Sequence, residues 1–308
     1  MTMPQPAITI DHLTKSFPGS IAVNDLSLDV KKGEMFGLVG PDGAGKTTTM
    51  RLLTSILEPT SGNAWVAGHS ILTDGELIKE KIGYMSQRFG LYEDLTVLEN
   101  ILFYADLYEV PRRERPPRLE RLLGFSNLTP FQDRLAGQLS GGMKQKLGLA
   151  CALIHTPEVL FLDEPTNGVD PVSRRDFWKI LYDLLKQDIT IFISTAYLDE
   201  AERCMRIGLM HQGAILMLDK PAVIKQSLPG TMIELWTQHA REAADIARSV
   251  QGVMSVSLYG DKLHISIDDR RTTPVVRDVL ARAGVSIRGE REILPSLEDV
   301  FISMVEHA

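Results

Sequence analysis

The amino-terminal part of the chain alternates apolar and polar side chains. This alternation at residues 7–10 and 24–30 predicts two half-buried strands, and the apolar run at residues 35–39 predicts a fully buried one. A glycine-rich turn follows and leads into a helical pattern at residues 46–57. A strand, a glycine turn and a helix in this order are what a phosphate-binding site requires.

A long helical pattern covers residues 95–154, with Val97, Ile101, Phe103 and Tyr104 on one apolar face. We interpret it as a helical subdomain, at about residues 90–155, inserted between two halves of a sheet. Short apolar strands are predicted at residues 159–162, 189–194 and 207–210, with a helix at residues 173–186. Alternation of strand and helix predicts an α/β fold with a largely parallel sheet.

A second domain is predicted after Pro229 and Gly230, which punctuate the chain. The following patterns give the order β-α-β-β-α-β and then a closing helix, which is typical of a small ferredoxin-like α+β domain. We therefore expect a nucleotide-binding domain at residues 1–229 and an accessory domain at residues 230–308.

Composition narrows the class of protein. The chain has 308 residues, 44% hydrophobic and 24% charged, which is ordinary globular material. Its two cysteines, Cys151 and Cys204, are not spaced as in a metal site or a redox motif. We therefore expect the protein to reside in a reducing compartment. Residues 1–11 show no secretory signal, and no apolar run approaches the roughly 18 residues of a bilayer span, so no transmembrane segment is expected.

Charge argues against nucleic acid as the main partner, because the formal net charge is -7 and duplex binding usually needs a basic surface. A local cluster of arginines is the exception, and it is interpreted either as a solvated helix face or as a docking patch for lipid or protein. The cluster contains Arg112, Arg113, Arg115, Arg118 and Arg121.

The glycine turn has the spacing of a phosphate-binding loop. Its glycines let backbone N–H groups surround phosphates, Lys46 reaches the β- and γ-phosphates, and the Thr47 hydroxyl is suited to Mg²⁺. The alternative is a flexible glycine turn. The nucleotide-binding residues expected here are Gly40, Pro41, Asp42, Gly43, Ala44, Gly45, Lys46, Thr47 and Thr48.

Two acids end the apolar strand at residues 159–162. Asp163 is expected to orient Mg²⁺, and Glu164 to position and deprotonate the attacking water. Alone, such a pair is as well explained by a surface cap on the strand. Together with the phosphate loop, it predicts ATP and Mg²⁺ as the ligands.

Ser140, Gly141 and Gly142 form the most diagnostic stretch. They predict a helix start, with Ser140 as N-cap and two glycines that leave backbone amides open to an anion; the alternative is a simple helix cap. With the two elements above, this stretch resembles the signature sequence of ABC (ATP-binding cassette) ATPases. The resemblance covers roughly residues 8–228.

The resemblance implies further roles. In ABC ATPases two nucleotide-binding domains pair head to tail, so Ser140, Gly141 and Gly142 would face ATP bound to the partner. Phe17 falls at the position of the ring that stacks on adenine, the alternative being a core aromatic. Gln87 matches the glutamine of the Mg²⁺ shell, and Asp170 matches a residue of the loop that crosses the dimer interface or serves as an N-cap.

One position departs from the ABC pattern. After the strand at residues 189–194 the family has a histidine, but here Ala196 follows Thr195. The missing imidazole would have held the γ-phosphate and the water, and such a loss commonly costs ~10²- to 10³-fold in turnover. We therefore expect a weakened site and an asymmetric pair in which the other ATPase domain retains its histidine.

Residues 40–48 and 91–97 resemble multidrug-export ATPases of the YbhF type, and residues 295–301 resemble the tail of many drug and antibiotic exporter ATPases, so export is favoured over import. The resemblance implies membrane permease subunits on separate chains, a second ABC ATPase domain, and a peripheral location on the cytoplasmic face of the inner (cell) membrane. Rival hypotheses are a soluble ABC protein acting on ribosomes or DNA and a regulatory subunit without turnover. The accessory domain is expected to support dimerisation.

Overall fold

The structure is a computed structural model that describes residues 6–87 and 90–307. The first five positions of the stretch expected to lack a secretory signal thus lie outside the described residues. Contacts divide the chain into two compact units, Met1–Leu216 and Met217–Ala308. Within the described ranges, no helix is both long and apolar enough to cross a bilayer.

The first unit, with the strand that leads out of it, contains strands and α-helices in the following order. They are β1 (Ile8–Phe17), β2 (Ser20–Val30), β3 (Met35–Val39), α1 (Lys46–Leu53), β4 (Ser61–Val66), β5 (His69–Ser70), α2 (Gly75–Lys81), β6 (Ile82–Met85), α3 (Val97–Leu107), α4 (Arg115–Phe125), α5 (Gly141–Leu153), β7 (Val159–Asp163), α6 (Pro171–Leu185), β8 (Thr190–Thr195), α7 (Leu198–Ala201), β9 (Arg206–His211) and β10 (Ala214–Asp219). Short 3₁₀ turns lie at Arg112–Glu114, Thr129–Phe131 and Ala136–Gln138.

The core sheet carries the site. Among the described residues it has six strands in the order β10-β9-β3-β8-β7-β6, and β9, β3, β8, β7 and β6 pair in parallel. Every residue of β3, β7 and β8 is buried, as expected for parallel strands covered on both faces. The predicted α/β fold is confirmed.

The amino-terminal strands with alternating polar and apolar side chains form a second sheet. Its strands follow the order β2-β1-β4-β5 and pair antiparallel. Register shifts interrupt β1, and His12 and Asp25 have positive φ values of 49°. These irregularities interrupt the alternation of apolar and polar side chains. The pattern therefore predicts only residues 7–10 and 24–30, whereas the observed strands are longer.

The first α-helix of the helical subdomain is α3, which begins with a reciprocal capping box between Thr96 and Glu99. The arginine cluster is largely structural. Arg115 donates to the Val110 carbonyl oxygen, and Arg118 donates to the Ile154 carbonyl oxygen and pairs with Glu114. Arg121 donates to the Gln187 side chain. These bonds tie the guanidinium groups to the fold, which favours the helix-face interpretation over a docking patch.

The second unit has the predicted order of elements. It contains α8 (Pro221–Gln226), β11 (Thr231–Thr237), α9 (Ala240–Arg248), β12 (Val253–Tyr259), β13 (Lys262–Ile267), α10 (Thr272–Arg282), β14 (Ile287–Ile293) and α11 (Leu297–His307). The strand order β12-β13-β11-β14 is antiparallel throughout and fits the expected ferredoxin-like domain. Helix α8 packs against α11, so the unit starts before residue 230.

Candidate functional site

The site lies at the carboxyl edge of β3, β8 and β7, which are neighbours in the core sheet. The loop after β3 contains the glycines and leads into Lys46, the first residue of α1. Glu164 follows β7, and Ala196 follows β8. The Gly40 N–H donates to the Thr195 carbonyl oxygen at 3.3 Å, which joins two of these loops. The parallel order of the sheet therefore brings distant sequence motifs to one edge.

The phosphate loop needs glycine at specific positions. An ideal β-carbon at Gly40 would lie 2.2 Å from the Met210 carbonyl oxygen, and one at Gly45 would lie 2.2 Å from that of Ala22. Gly45 also has a φ of 110° and forms the N-cap of α1. Pro41, Asp42 and Gly43 are exposed, Ala44 is buried, and Thr47 and Thr48 are partly exposed on the first turn of α1. The first turn therefore presents its free N–H groups at the rim of an open loop.

Lys46 is only 4% exposed. Its ammonium group donates to the carbonyl oxygens of Gly40 at 2.8 Å and Pro41 at 3.1 Å. It also lies 3.1 Å from Oε1 of Glu164. Lys46 is thus held at the centre of the phosphate loop by two carbonyl oxygens and one carboxylate oxygen.

Asp163 and Thr47 form a site suited to a hard cation. The Thr47 hydroxyl donates to Oδ1 of Asp163 at 3.1 Å, and the Ser194 hydroxyl donates to the same oxygen at 2.6 Å. The other oxygen, Oδ2, is buried and has no hydrogen-bond partner among the described residues. An unpartnered buried carboxylate oxygen beside a hydroxyl fits Mg²⁺ held together with phosphate oxygens. The described residues hold no group of three or more His, Cys, Asp or Glu side chains arranged as a metal site.

Glu164 is held by both backbone and side-chain contacts. Its φ of 49° is unusual for a residue with a side chain, and its N–H donates to the carbonyl and hydroxyl oxygens of Ser194 at 3.2 and 3.0 Å. The Gln87 amide donates to Oε2 of Glu164 at 3.0 Å, and that of Asn167 donates to Oε2 at 3.4 Å. One carboxylate oxygen therefore faces two amides while the other faces Lys46.

Phe17 lies at the end of β1 and is 42% exposed, so it is not a core aromatic. The ammonium group of Lys15 lies 5.3 Å from the centre of its ring. The hairpin continues into β2, whose Ala22 approaches Gly45. The exposed ring is thus available to a flat ligand, and the hairpin that carries it reaches the phosphate loop at Gly45.

The signature residues begin α5. Ser140 caps the helix through its hydroxyl, which accepts from the Met143 N–H at 3.4 Å. Ser140 and Gly141 are exposed, whereas Gly142 is buried, and an ideal β-carbon there would lie 2.4 Å from Cβ of Ser173 in α6. The side chain of Asp170 caps α6, and hydrogen bonds from Ser173 lower the pKa of Asp170. The N-cap interpretation of Asp170 is therefore confirmed.

Sequence reasoning did not assign site roles to Ser194, Asn167 and Tyr197. Ser194 bridges Asp163 and Glu164, and Asn167 reaches Glu164, as described above. The Tyr197 hydroxyl lies 3.4 Å from Oδ1 of Asn167. The position of Ser194 at the end of a buried strand was the available signal, whereas the contacts of Asn167 and Tyr197 depend on tertiary structure.

Burial raises the pKa of Tyr84 to about 12, and the negative charge of Asp163 adds to this shift. Tyr84 lies on β6, the strand beside β7, two residues from Ser86 and three from Gln87. Its phenol therefore stays protonated in the physiological range and adds no charge next to the cation site.

Comparison with known proteins identifies relatives of both units. A family model described as ABC transporter matches residues 23–167, and one described as ATP-binding protein DrrA1-3-like, C-terminal domain, matches residues 220–305. The core is similar to cbiO1 from Clostridium perfringens, part of the cbiONQ complex, with a TM-score of 0.67 and 26% identity over 72% of this chain and 91% of that one. The ATP-binding cassette MJ0796, in a post-hydrolysis dimer bound to ADP and Pi, gives a TM-score of 0.63 and 26% identity over 69% and 98%.

Curated relatives extend the match to both units. The probable multidrug ABC transporter ATP-binding protein YbhF of Escherichia coli (strain K12) is 41% identical over 98% of this chain, which spans about half of that protein, 53%. The daunorubicin/doxorubicin resistance ATP-binding protein DrrA of Streptomyces peucetius is 32% identical over 99% of this chain and 94% of its own length. The Nod factor export ATP-binding protein I of Rhizobium sp. (strain N33) is 35% identical over 98% of this chain and 98% of its own length. The chain belongs to the family of ABC transporter ATP-binding proteins.

Proposed function

We propose that the chain is the ATP-binding and ATP-hydrolysing subunit of an ABC exporter for drugs or other small molecules. The observation that carries this proposal is the meeting of Lys46, Thr47, Asp163, Glu164 and Gln87 at one edge of the core sheet. These groups match the needs of phosphoryl transfer to water, namely a phosphate cradle, a cation site and a base.

Binding of ATP would use the loop first. The N–H groups at the start of α1 and the Lys46 ammonium group would contact the phosphates, and the exposed ring of Phe17 would stack on the adenine. Thr47, Asp163 and Gln87 would hold Mg²⁺. When bound, this ion would neutralise negative charge on the β- and γ-phosphates. The remaining loop residues, Pro41, Asp42, Gly43, Ala44 and Thr48, would shape the cradle.

Glu164 would act as the general base. Phosphate oxygens compete for Lys46, so nucleotide binding would release Oε1 of Glu164, while Gln87 and Asn167 retain Oε2. A water hydrogen-bonded to Oε1 would then lose its proton to the carboxylate as its oxygen bonds to the γ-phosphorus. The bond from the γ-phosphorus to the β–γ bridging oxygen would break, so that ADP leaves with that oxygen and inorganic phosphate forms. The retained carboxylate argues against a purely regulatory subunit.

The start of α5 would complete the ATP site of a second cassette. Ser140 and Gly141 are exposed there, and Gly142 is buried beneath them. Free N–H groups at the start of α5 favour a negatively charged ligand. ATP would therefore lie between the phosphate loop of one cassette and the signature of another, and hydrolysis would release the pair. The accessory domain would support this pairing.

Ala196 would weaken hydrolysis at the chain's own phosphate loop, because its methyl group offers no hydrogen bond to phosphate or water. We propose that the second cassette is either another copy or a different ATPase domain that keeps the histidine. An Ala196→His variant should therefore hydrolyse ATP at least about tenfold faster than the unchanged chain. Equal rates would exclude a weakened site.

A membrane permease would contact the helical subdomain. Tyr92, Phe103 and Leu107 are exposed at 48%, 37% and 60%, and the rings of Tyr92 and Phe103 lie 4.5 Å apart. An exposed group of apolar side chains of this kind would serve as the contact for a partner helix. The chain would then lie on the cytoplasmic face of the cell membrane.

Co-expression of the chain with its neighbouring genes tests this location. Recovery of the chain with membranes supports the proposal, whereas its recovery only with ribosomes or DNA supports the soluble alternative.

The test of the catalytic proposal is the Glu164→Gln variant. We expect its hydrolysis of Mg-ATP to fall by about 10²- to 10⁴-fold while it still binds ATP, because only the base is lost. Glu80→Gln, an exposed substitution on α2, is the matched control and should keep full turnover. Undiminished hydrolysis by Glu164→Gln would refute the role of Glu164.

A further inference from the structure

Tyr197 immediately follows the alanine that replaces the histidine. Its hydroxyl lies 3.4 Å from Oδ1 of Asn167, and Nδ2 of Asn167 lies 3.4 Å from Oε2 of Glu164. We infer that Tyr197 is a positioning residue for ATP hydrolysis that acts on Glu164 through Asn167. The inference rests on the proposed role of Glu164 as the base.

The tyrosine is fixed in place from three sides. Its N–H donates to the Thr195 hydroxyl at 3.0 Å, and that hydroxyl donates to Oε2 of Glu200 at 2.9 Å. The guanidinium carbon of Arg174 lies 4.7 Å from the centre of the Tyr197 ring, and Arg174 also lies 3.4 Å from Glu200. Glu200 is 1% exposed and accepts from the Thr166 hydroxyl as well. A buried carboxylate therefore anchors both the backbone and the ring of Tyr197.

The hydroxyl determines which way the Asn167 amide points. A donor at Oδ1 leaves the NH₂ group of Asn167 directed at Glu164, whereas the reversed amide would place two oxygens together. Gln87 donates to the same carboxylate oxygen, so two amides hold Oε2. Oε1, which pairs with Lys46 in this structure, becomes available to a water once phosphate engages Lys46. The chain of hydrogen bonds from Tyr197 thus orients Glu164 from the protein side, in a site that lacks the imidazole.

The ring contact with Arg174 needs no hydroxyl, so phenylalanine would preserve it. Tyr197→Phe therefore removes only the bond to Asn167. We expect kcat for ATP to fall about fivefold to tenfold, with KM for ATP and the urea midpoint unchanged. Tyr182→Phe, an exposed tyrosine near the other end of α6, is the matched control and should keep the full kcat.

Two double variants separate positioning through Asn167 from general packing. In an Asn167→Ala background, Tyr197→Phe should lower kcat by no more than about twofold, because the bond is already absent. In an Ala196→His background, its effect should shrink in the same way, because the imidazole again holds the reacting groups. Independent, multiplicative losses in both backgrounds would overturn the inference.

The outcome is distinguishable from failure of the proposed function. If Glu164→Gln loses hydrolysis while Tyr197→Phe keeps the full kcat, Glu164 is the base and the inference about Tyr197 is wrong. If Glu164→Gln keeps hydrolysis, the base is a different group, and a loss in Tyr197→Phe then cannot arise through Glu164. A loss in both single variants, with a fall in kcat of no more than about twofold from Tyr197→Phe in the Asn167→Ala background, supports the inference.

Discussion

The ammonium group of Lys46 lies 3.1 Å from Oε1 of Glu164, and their side chains are only 4% and 11% exposed. The residue proposed to bind phosphate is therefore paired with the residue proposed to activate water. Each can act only when the pair separates. ATP, as the stronger anion, would separate them and so couple binding to activation of the base.

This pairing predicts the effect of Glu164→Gln on binding. A neutral amide competes less for Lys46, so the affinity for ATP should rise about threefold to tenfold relative to the unchanged chain. Titration with a fluorescent ATP analogue under non-hydrolysing conditions measures it, and Glu80→Gln should show no change. Weaker binding by Glu164→Gln would mean that the carboxylate does not compete with phosphate.

The two signature glycines should respond differently to alanine. At Gly142 the added methyl would lie 2.4 Å from Cβ of Ser173, whereas at Gly141 it meets no described atom within 4 Å. Gly142→Ala should lower the free energy of unfolding by about 1–3 kcal/mol through overpacking. Gly141→Ala should be neutral or stabilising by up to ~1 kcal/mol, as alanine favours helix.

Urea unfolding of the nucleotide-free chain measures this difference, since ATP contacts play no part in it. Ser173→Gly removes the Cβ and Oγ atoms that the added methyl group would clash with. It should therefore restore stability in the Gly142→Ala background. Equal stability of the two single variants would show that Gly142 is not constrained by α6.

His155 should make stability depend on pH. Its Nε2 donates to the Ile82 carbonyl oxygen at 2.8 Å, its ring stacks on Tyr108 at 3.8 Å, and Nδ1 is buried with no partner among the described residues. Burial lowers the pKa of His155 below that of an unfolded histidine, which is about 6.5. The unfolded chain then binds more protons, so the free energy of unfolding falls as pH drops below about 6.5.

His155→Gln keeps a donor and removes the titrating ring, so its unfolding free energy should fall less between pH 7 and pH 5 than that of the unchanged chain. His12 is the control, because it is exposed and hydrogen bonding to Asp25 raises the pKa of its ring. His12→Gln should not remove the loss at low pH. If both variants follow the unchanged chain, His155 does not contribute.

Asp299 should secure the closing helix of the second unit. It is 2% exposed, accepts from the N–H and hydroxyl of Ser296 at 2.8 and 2.7 Å, and lies 3.0 Å from Nδ1 of His264. Asp299→Ala leaves these donors unpaired and should cost about 2–4 kcal/mol of local stability. Faster hydrogen exchange of the α11 amides would show it. Exchange unchanged from that of Glu298→Ala, the exposed neighbour, would contradict this role.

The sequence predicts the buried strands well and the irregular ones poorly. Strand β3 was predicted at the residues where it occurs, because an apolar run beside a glycine loop has few alternatives. The pattern does not predict β4, β5 or β6. Strands β4 and β6 are short, contain a glycine and pair with strands distant in the sequence, and β5 has only two residues. The motifs at Lys46 and Glu164 are readable from spacing, but their contact depends on the order β3-β8-β7, which spacing does not encode.

The central claim is that ATP at this phosphate loop is enclosed by the signature of another cassette. Gly141→Cys in the Glu164→Gln background, labelled with a photoreactive maleimide, tests it in membranes. Cys151 and Cys204 are buried, and burial raises the pKa of both thiols, that of Cys204 to about 12, so labelling should be confined to the new cysteine. We predict an adduct to the phosphate loop of a second cassette, of this chain or another, only with Mg-ATP. An ATP-independent adduct, or none, would contradict the claim.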